Sequence, residues 1–208
     1  MLNVYLVRHG QTETNKTHLL NGSLTNLPLN EVGIKQVEAL QASFDTKQID
    51  CIYTSPLLRA YQTAEILDQG QHEIFRDDRL KEINFGNWDG KLDKDIYAKY
   101  PQAFDELGHL KENYSNYCTG ESFQHLKERA TSFWRELVQN HEDENILLVT
   151  HGFVIRSLTQ VAFSFPAASP IGEVKNASVS SFSIDDKSKN IFLNYYNRIT
   201  PSEFLITR

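Results

Sequence analysis

The 208-residue chain has little of what marks several common functions. Its two cysteines, Cys51 and Cys118, lack metal-site spacing and allow at most one disulfide, so two free thiols in a reducing compartment are expected. No apolar run approaches the roughly 20 residues that cross a bilayer. The N-terminus enters an apolar strand without the pattern of a secretory leader, and a cytoplasmic protein is the expectation. The Asn-x-Ser/Thr triplets at Asn15, Asn21, Asn113 and Asn176 are then chance matches. No basic field exists. Lys and Arg number 21 against 27 Asp and Glu, a net charge of -6 with the signs interleaved, which disfavours nucleic acid and anionic membranes as partners. There is no Gly-rich loop ending in Lys-Ser/Thr for a nucleoside triphosphate. Repeats, low-complexity tracts and linkers are also missing.

What is present suits one compact domain over residues 1–208: 40% hydrophobic and 23% charged residues, enough for a real core. Val4 to Val7, Ile49 to Tyr53 and Ile146 to Val149 read as buried strands. Asn30 caps a helix carrying Ile34, Val37, Leu40 and Phe44 at helical spacing. Ser55 as N-cap and Pro56 at the first helical position open another, with Leu58, Tyr61, Ala64 and Leu67 on one side. A third starts after Ser122, its core stripe running from Phe123 through Leu126, Ala130, Phe133 and Leu137 to Val138. A fourth, apolar helix runs from Phe153 to about Phe163. Strand, turn, helix, strand is the pattern of an α/β fold with a parallel sheet. Ser178 to Ile184 and Ile191 to Tyr195 read as an antiparallel hairpin at the sheet edge. Residues 88–118, rich in scattered aromatics and broken at Pro101, read as a covering excursion rather than a second domain.

Chemistry concentrates at three strand ends. The first strand stops at Arg8-His9-Gly10, the second at Thr54-Ser55-Pro56 with Arg59 one turn on, and the third at Thr150-His151-Gly152. In a parallel sheet these carboxyl ends share one edge, the place where open α/β sheets bind ligands. Arg59 in the first turn of a helix opposes the macrodipole by roughly 0.3–1 kcal/mol unless an anion is bound there. Two arginines with two His-Gly pairs suit a tetrahedral dianion, a phosphate or phosphoryl group. The same cations would repel a divalent metal, and no carboxylate sits at ligand spacing from His9 or His151, so neither metal nor cofactor is expected.

These stretches resemble the signature of the histidine phosphatase superfamily, the phosphoglycerate mutase-like proteins. The resemblance runs from Leu6-Val7-Arg8-His9-Gly10-Gln11-Thr12 and Asn15 through Asn21-Gly22, Leu27-Pro28-Leu29 and Gly33 to Tyr53-Thr54-Ser55-Pro56-Leu57-Leu58-Arg59-Ala60 with Thr63-Ala64. It resumes at Leu80-Lys81-Glu82-Ile83-Asn84-Phe85-Gly86-Asn87-Trp88-Asp89-Gly90, Gly120-Glu121-Ser122 and Val149-Thr150-His151-Gly152 with Arg156. It implies a three-layer α/β/α fold with a mostly parallel central sheet and an antiparallel edge strand. It also implies roles. His9 is the nucleophile, a choice between His9 and His151 that the residues alone leave open, and Glu82 is the proton donor. Arg8, Arg59 and His151 complete the catalytic set. Arg8, Thr12, Asn15, Asn21, Gly22, Arg59 and Gly152 form the substrate-binding set. Glu82, read by position alone, is a surface carboxylate.

The same apparatus serves a phosphatase, which admits water to a phosphohistidine, and a cofactor-dependent phosphoglycerate mutase, which excludes it. Mutases of the family carry a tyrosine three residues after the acid and adjacent arginines in a longer excursion. Here the position is Phe85, and residues 91–118 contain no arginine. The expectation is therefore a metal-independent phosphatase acting on small phosphorylated metabolites, as a monomer or homodimer. A phosphate-sensing or protein-binding module is the reading from a different class, which a charge of -6 does little to support.

Overall fold

The computed structural model describes residues 1–167 and 171–199. Six strands form one sheet: β1 (Leu2–Arg8), β2 (Cys51–Thr54), β3 (Ile74–Arg76), β4 (Asn145–Thr150), β5 (Val179–Ile184) and β6 (Ile191–Arg198), in the order β3-β2-β4-β1-β5-β6. The pairs β2·β3, β2·β4 and β1·β4 are parallel, while β5 runs antiparallel to both β1 and β6. Of the apolar strands expected in sequence, β1 and β4 are buried on both faces, as a parallel sheet covered by helices requires, whereas Cys51 and Tyr53 of β2 are half-buried. Helices α2 (Glu31–Gln41) and α3 (Leu58–Asp68) close one face around Val7, Val37, Leu40, Ile52 and Leu67. Helices α5 (Phe123–Asn140) and α6 (Gly152–Ala162) close the other around Leu6, Leu126, Phe133, Leu148 and Leu158.

Capping follows the sequence at two helices. Asn30 accepts from the Gly33 N–H at 2.8 Å, and Ser122 accepts from His125 N–H at 3.1 Å. At α3 it does not. The helix starts at Leu58 after Leu57, whose side chain offers no cap, and Ser55 lies too far upstream, its hydroxyl accepting from Leu57 N–H at 3.2 Å and pairing with His151. The buried side of α3 is correspondingly rotated to Arg59, Ala60, Thr63, Ala64 and Leu67, with Leu58 outside. The 11–30 loop contains a short helix, α1 (Glu13–Lys16), capped by Thr12.

The terminal hairpin is more deeply embedded than the sequence suggests. Of its two strands β6 alone lies at an edge of the sheet; β5 is buried along its whole length beside β1. Its sequence is rich in serine, at residues 180, 181 and 183. The hydroxyls of these serines are paired inside the sheet: Ser183 donates to Asn3 Oδ1 at 2.7 Å, Asn194 donates to Ser181 and Ser183, and Ser180 accepts from Asn197 N–H.

Residues 88–118 fold over the carboxyl ends of the strands as α4 (Asp93–Lys99), single helical turns at 101–103 and 114–117, and bridges pairing Leu92 with Leu19 and Phe104 with Leu110. Their aromatics are mostly structural. Trp88 is fully buried, stacked on Tyr100 at 5.2 Å and on Phe104 at 6.4 Å, while Tyr114 packs on Phe123 of α5 at 4.8 Å. This excursion therefore shares the α5·α6 core. Trp88→Ala should cost about 3–5 kcal/mol in urea unfolding, against under about 1 for Tyr97→Ala, whose ring is 46% exposed. Equal costs would contradict a core role for the excursion.

Candidate active site

Strands β2, β4 and β1 are consecutive in the sheet, and Arg8 stands in register with Thr150, Thr54 with Val149. The next residue on each strand therefore emerges side by side: His9 N–H bonds the Thr150 carbonyl at 3.0 Å and Ser55 N–H that of Val149 at 3.0 Å. The rings of His9 and His151 lie edge to face, 5.0 Å apart. Gly10 is needed here because a Cβ would stand 2.6 Å from the Gly33 carbonyl oxygen of α2.

His9 is held in one tautomer. Its Nδ1 lies 2.7 Å from its neighbour's carbonyl, Gly10 O, which only an N–H can satisfy. That leaves Nε2 with a lone pair, and Arg59 Nε–H points at it from 3.3 Å. Burial, with Arg59 and Arg8 adding to it, pushes His9 well below the usual imidazole range. The site thus presents a neutral imidazole whose Nε2 lone pair is met by the Arg59 Nε–H. His151 is neutral for the same reasons, its Nε2 paired with Ser55 Oγ at 2.8 Å.

Arg59 is fully buried, with its guanidinium set against backbone carbonyls. Nη1 donates to Thr25 O at 2.6 Å, and Nη2 to Gly22 O at 3.1 Å and Asn21 O at 3.5 Å. Burial lowers its pKa to about 10, which still leaves it a cation at neutral pH. Arg8 donates through Nη1 to Glu173 Oε1 at 2.9 Å and to the Val174 carbonyl. Arg8 Nε and His151 Nδ1 are buried with no partner among the described residues. Orphaned polar nitrogens are rare and costly in a packed interior, and two beside His9 mark a place where an oxyanion would sit.

Glu82 is not a surface carboxylate: it is 5% exposed. Thr150 Oγ1 donates to Leu80 O at 2.7 Å, drawing the 80–82 stretch onto the end of β4. Oε1 then accepts from Ile83 N–H at 2.9 Å and Oε2 from Phe153 N–H at 3.4 Å, in the first turn of α6. Burial raises its pKa above the usual carboxylate value, although those N–H groups, Arg59 and Arg8 pull the other way. Burial thus shifts the carboxyl toward its protonated form and the imidazoles toward their neutral form, the directions an acid and a nucleophile need.

A cleft of about 1000 Å³ opens above these groups and reaches Arg8, His9, Asn15, Asn21, Glu82 and Gly152. Two residues expected to bind substrate have other occupations. Thr12 is fully buried, its hydroxyl donating to Asn15 Oδ1 at 2.9 Å and accepting from Asn21 Nδ2 at 3.1 Å. Gly22 offers both backbone groups elsewhere, its carbonyl to Arg59 and its N–H to Asp89 at 3.1 Å. Ser55, Asp89, Asn176 and Glu173 belong to the site's surroundings and carried no role in sequence; Asn176 donates to the His9 carbonyl at 3.0 Å. Ser55 and Asp89 lay within the motifs, which was the only signal. Among the described residues no group of three His, Cys, Asp or Glu could hold a metal ion, and no helix is long and apolar enough to cross a membrane.

Residues 4–196 match the histidine phosphatase superfamily, branch 1. The chain belongs to that family. It is 31% identical over 89% of its length to phosphoglycerate mutase-like protein 4 of Arabidopsis thaliana, covering 81% of that protein. It is 33% identical over 76% of its length to phosphoserine phosphatase 1 of Hydrogenobacter thermophilus, covering 74% of it. Mycobacterial glucosyl-3-phosphoglycerate phosphatase complexed with VO3 superposes with a TM-score of 0.80 at 29% identity, over 94% of this chain and 98% of that one. Bacillus stearothermophilus YhfR superposes at 0.84 with 29% identity, over 97% and 99%. The mixed sheet and its helices are those of phosphoglycerate mutase-like phosphatases, and the protein is a phosphoric monoester hydrolase.

Two buried neutral histidines make stability sensitive to acid. The unfolded chain takes up a proton at each near a pKa of roughly 6.5, whereas the folded chain does not, so stability falls as pH drops below that value. Each histidine contributes at most about 1.4 kcal/mol per pH unit. A His151→Asn variant should lose less stability than the natural protein between pH 7 and pH 5 in urea unfolding. Equal losses would contradict a neutral buried His151.

Proposed function

We propose that the protein is a metal-independent phosphatase of small phosphorylated metabolites that works through a phosphohistidine on His9. The observation that carries this reading is the directed lone pair of His9 Nε2 among two arginines and two orphaned buried nitrogens. In the first half-reaction Nε2 attacks phosphorus in line. The bond from phosphorus to the ester oxygen breaks, and Glu82 gives its proton to the departing alkoxide. Arg8, Arg59, His151 and the Gly152 N–H surround the equatorial oxygens, whose charge is what the protein has to stabilise in phosphoryl transfer. The Gly10 carbonyl, accepting from Nδ1–H, supports the positive charge that His9 acquires. In the second half-reaction water attacks phosphorus, the ionised Glu82 takes one of its protons, inorganic phosphate leaves, and His9 is neutral again. The cations at the phosphoryl site do the work a divalent metal would do elsewhere.

Hydrolysis, rather than return of the phosphoryl group to a sugar-acid hydroxyl, is supported by the cleft. A mutase has to shield its phosphohistidine and grip a second phosphate or carboxylate. The excursion contributes only Asp93, Phe104, Gly108, His109 and Leu110 to the cleft wall, none of them a lysine or arginine. Phe85 is buried against Tyr114 and Phe153. The leaving-group side, walled by Leu19, Leu20, Phe104, Leu110 and Phe153, suits an organic moiety of modest size.

A panel of phosphorylated metabolites assayed for released phosphate in EDTA tests this reading, with 3-phosphoglycerate also checked for conversion to 2-phosphoglycerate. Phosphate release without metal is expected; isomerisation would make the protein a mutase, and inertness toward every ester a binding module. Glu82→Gln should lower kcat/KM for alkyl phosphates by about 10²–10³-fold but for p-nitrophenyl phosphate by less than about 10-fold, because a phenolate leaves unprotonated. The same loss on both would remove Glu82 as the acid.

A further inference from the structure

Asp89 lies seven residues after Glu82 and touches none of the reacting groups, yet it holds the turn that holds Arg59. Its Oδ1 accepts from Gly22 N–H at 3.1 Å and from the Thr25 hydroxyl, and its Oδ2 accepts from Leu24 N–H at 2.9 Å. The carbonyls of this same turn, Gly22 and Thr25, take the two ends of the Arg59 guanidinium, whose Nε–H meets His9 Nε2. The Gly22 residue is thus a relay, its N–H toward a carboxylate and its C=O toward a guanidinium. It has to be glycine, since a Cβ would stand 2.5 Å from Asp89 Oδ2 and 2.8 Å from the Ile83 carbonyl.

The turn is also tied at Ser23, whose N–H bonds the Ile83 carbonyl at 3.1 Å. Gly90 N–H bonds the Leu20 carbonyl at 2.8 Å and Leu20 N–H the Lys91 carbonyl at 2.9 Å, so residues 18–22 lie along 90–93 as a strip. At the far end Asn26 Oδ1 accepts from Leu58 N–H at 2.7 Å, which ties the turn to the start of α3. Three donors converging on one carboxylate fix the turn's middle, and the negative charge lies on the far side of the peptides from the buried cation.

We infer that Asp89 is a positioning residue: through the 22–25 turn it orients Arg59 toward the phosphoryl oxygens and His9. This rests on the phosphatase reading for its kinetic consequence but not for its binding consequence. Removing the charge leaves the turn free to shift. Arg59 then loses its directed interaction with the equatorial oxygens of the pentacoordinate transition state more than its interaction with the ground-state ester, so kcat falls further than KM rises.

The test is a double-mutant cycle of Asp89→Asn and Arg59→Ala, read as kcat/KM for p-nitrophenyl phosphate and as vanadate affinity by calorimetry. Asp89→Asn alone should lower kcat/KM by about 10-fold or more, and by less than about 2-fold when Arg59 is already alanine. Thr25→Val, which removes one donor to Asp89 and keeps the carbonyl on Arg59, should show a smaller loss with the same dependence on Arg59, and it serves if Asp89→Asn fails to fold. Equal losses with and without Arg59, or none in either variant, would overturn the inference. If the natural protein hydrolyses no ester, the phosphatase reading has failed, and vanadate affinity in the same four proteins still decides whether Asp89 acts through Arg59.

Discussion

A guanidinium with no exposed surface is the constraint around which the site is built. Removing a cation from water costs several kcal/mol unless acceptors replace the lost hydration, and the acceptors nearest Arg59 are neutral carbonyls and one imidazole nitrogen. Those carbonyls come from a turn that has to approach closely, which demands a glycine at residue 22 and an anchor at residue 89. The loop after β1 is long because it has to travel from His9 around to the cation and back to α2. Its length serves the site, and the sheet fixes where it begins and ends.

The same burial acts in opposite directions on the groups beside that cation. It favours the neutral form of His9 and His151 and, against the pull of the arginines, raises the pKa of Glu82. Acid and base are thereby separated without either being exposed to a shared solvent. The Ser55 hydroxyl pairs with His151 Nε2 at 2.8 Å as a nucleophile pairs with its base. The third member of such an arrangement is missing: His151 Nδ1 has no orienting partner among the described residues, whereas His9 Nδ1 has one in Gly10. The orientation of a ring, more than its pKa, distinguishes the two histidines.

The strand ends were legible because they depend on local sequence alone: apolar runs that stop at Arg-His-Gly, Thr-Ser-Pro and Thr-His-Gly give a shared edge once the strands are parallel. Their convergence in consecutive strands turned that pattern into distances. Glu82 was not legible from its neighbourhood. Its burial is decided by Thr150 gripping Leu80 and by the α6 N-terminus, both remote in sequence. The inner position of β5 depends on its pairing with both β1 and β6, which are remote in sequence or across a turn, and Ser55 does not cap α3 because it faces His151 instead. Thr12 and Gly22 sit in the motif but face Asn15, Asn21, Arg59 and Asp89. A motif records that a residue is needed and is silent on whether it touches the substrate or the residue that does.

The central claim is that His9 Nε2 takes the phosphoryl group. Rapid mixing with a radiolabelled phosphate ester, an alkaline quench and peptide mapping measure it directly. The account predicts an alkali-stable, acid-labile phosphoryl group on His9 that forms and decays at rates compatible with turnover. An acid-stable label on Ser55, a label on His151, or turnover by a His9→Ala protein would contradict it.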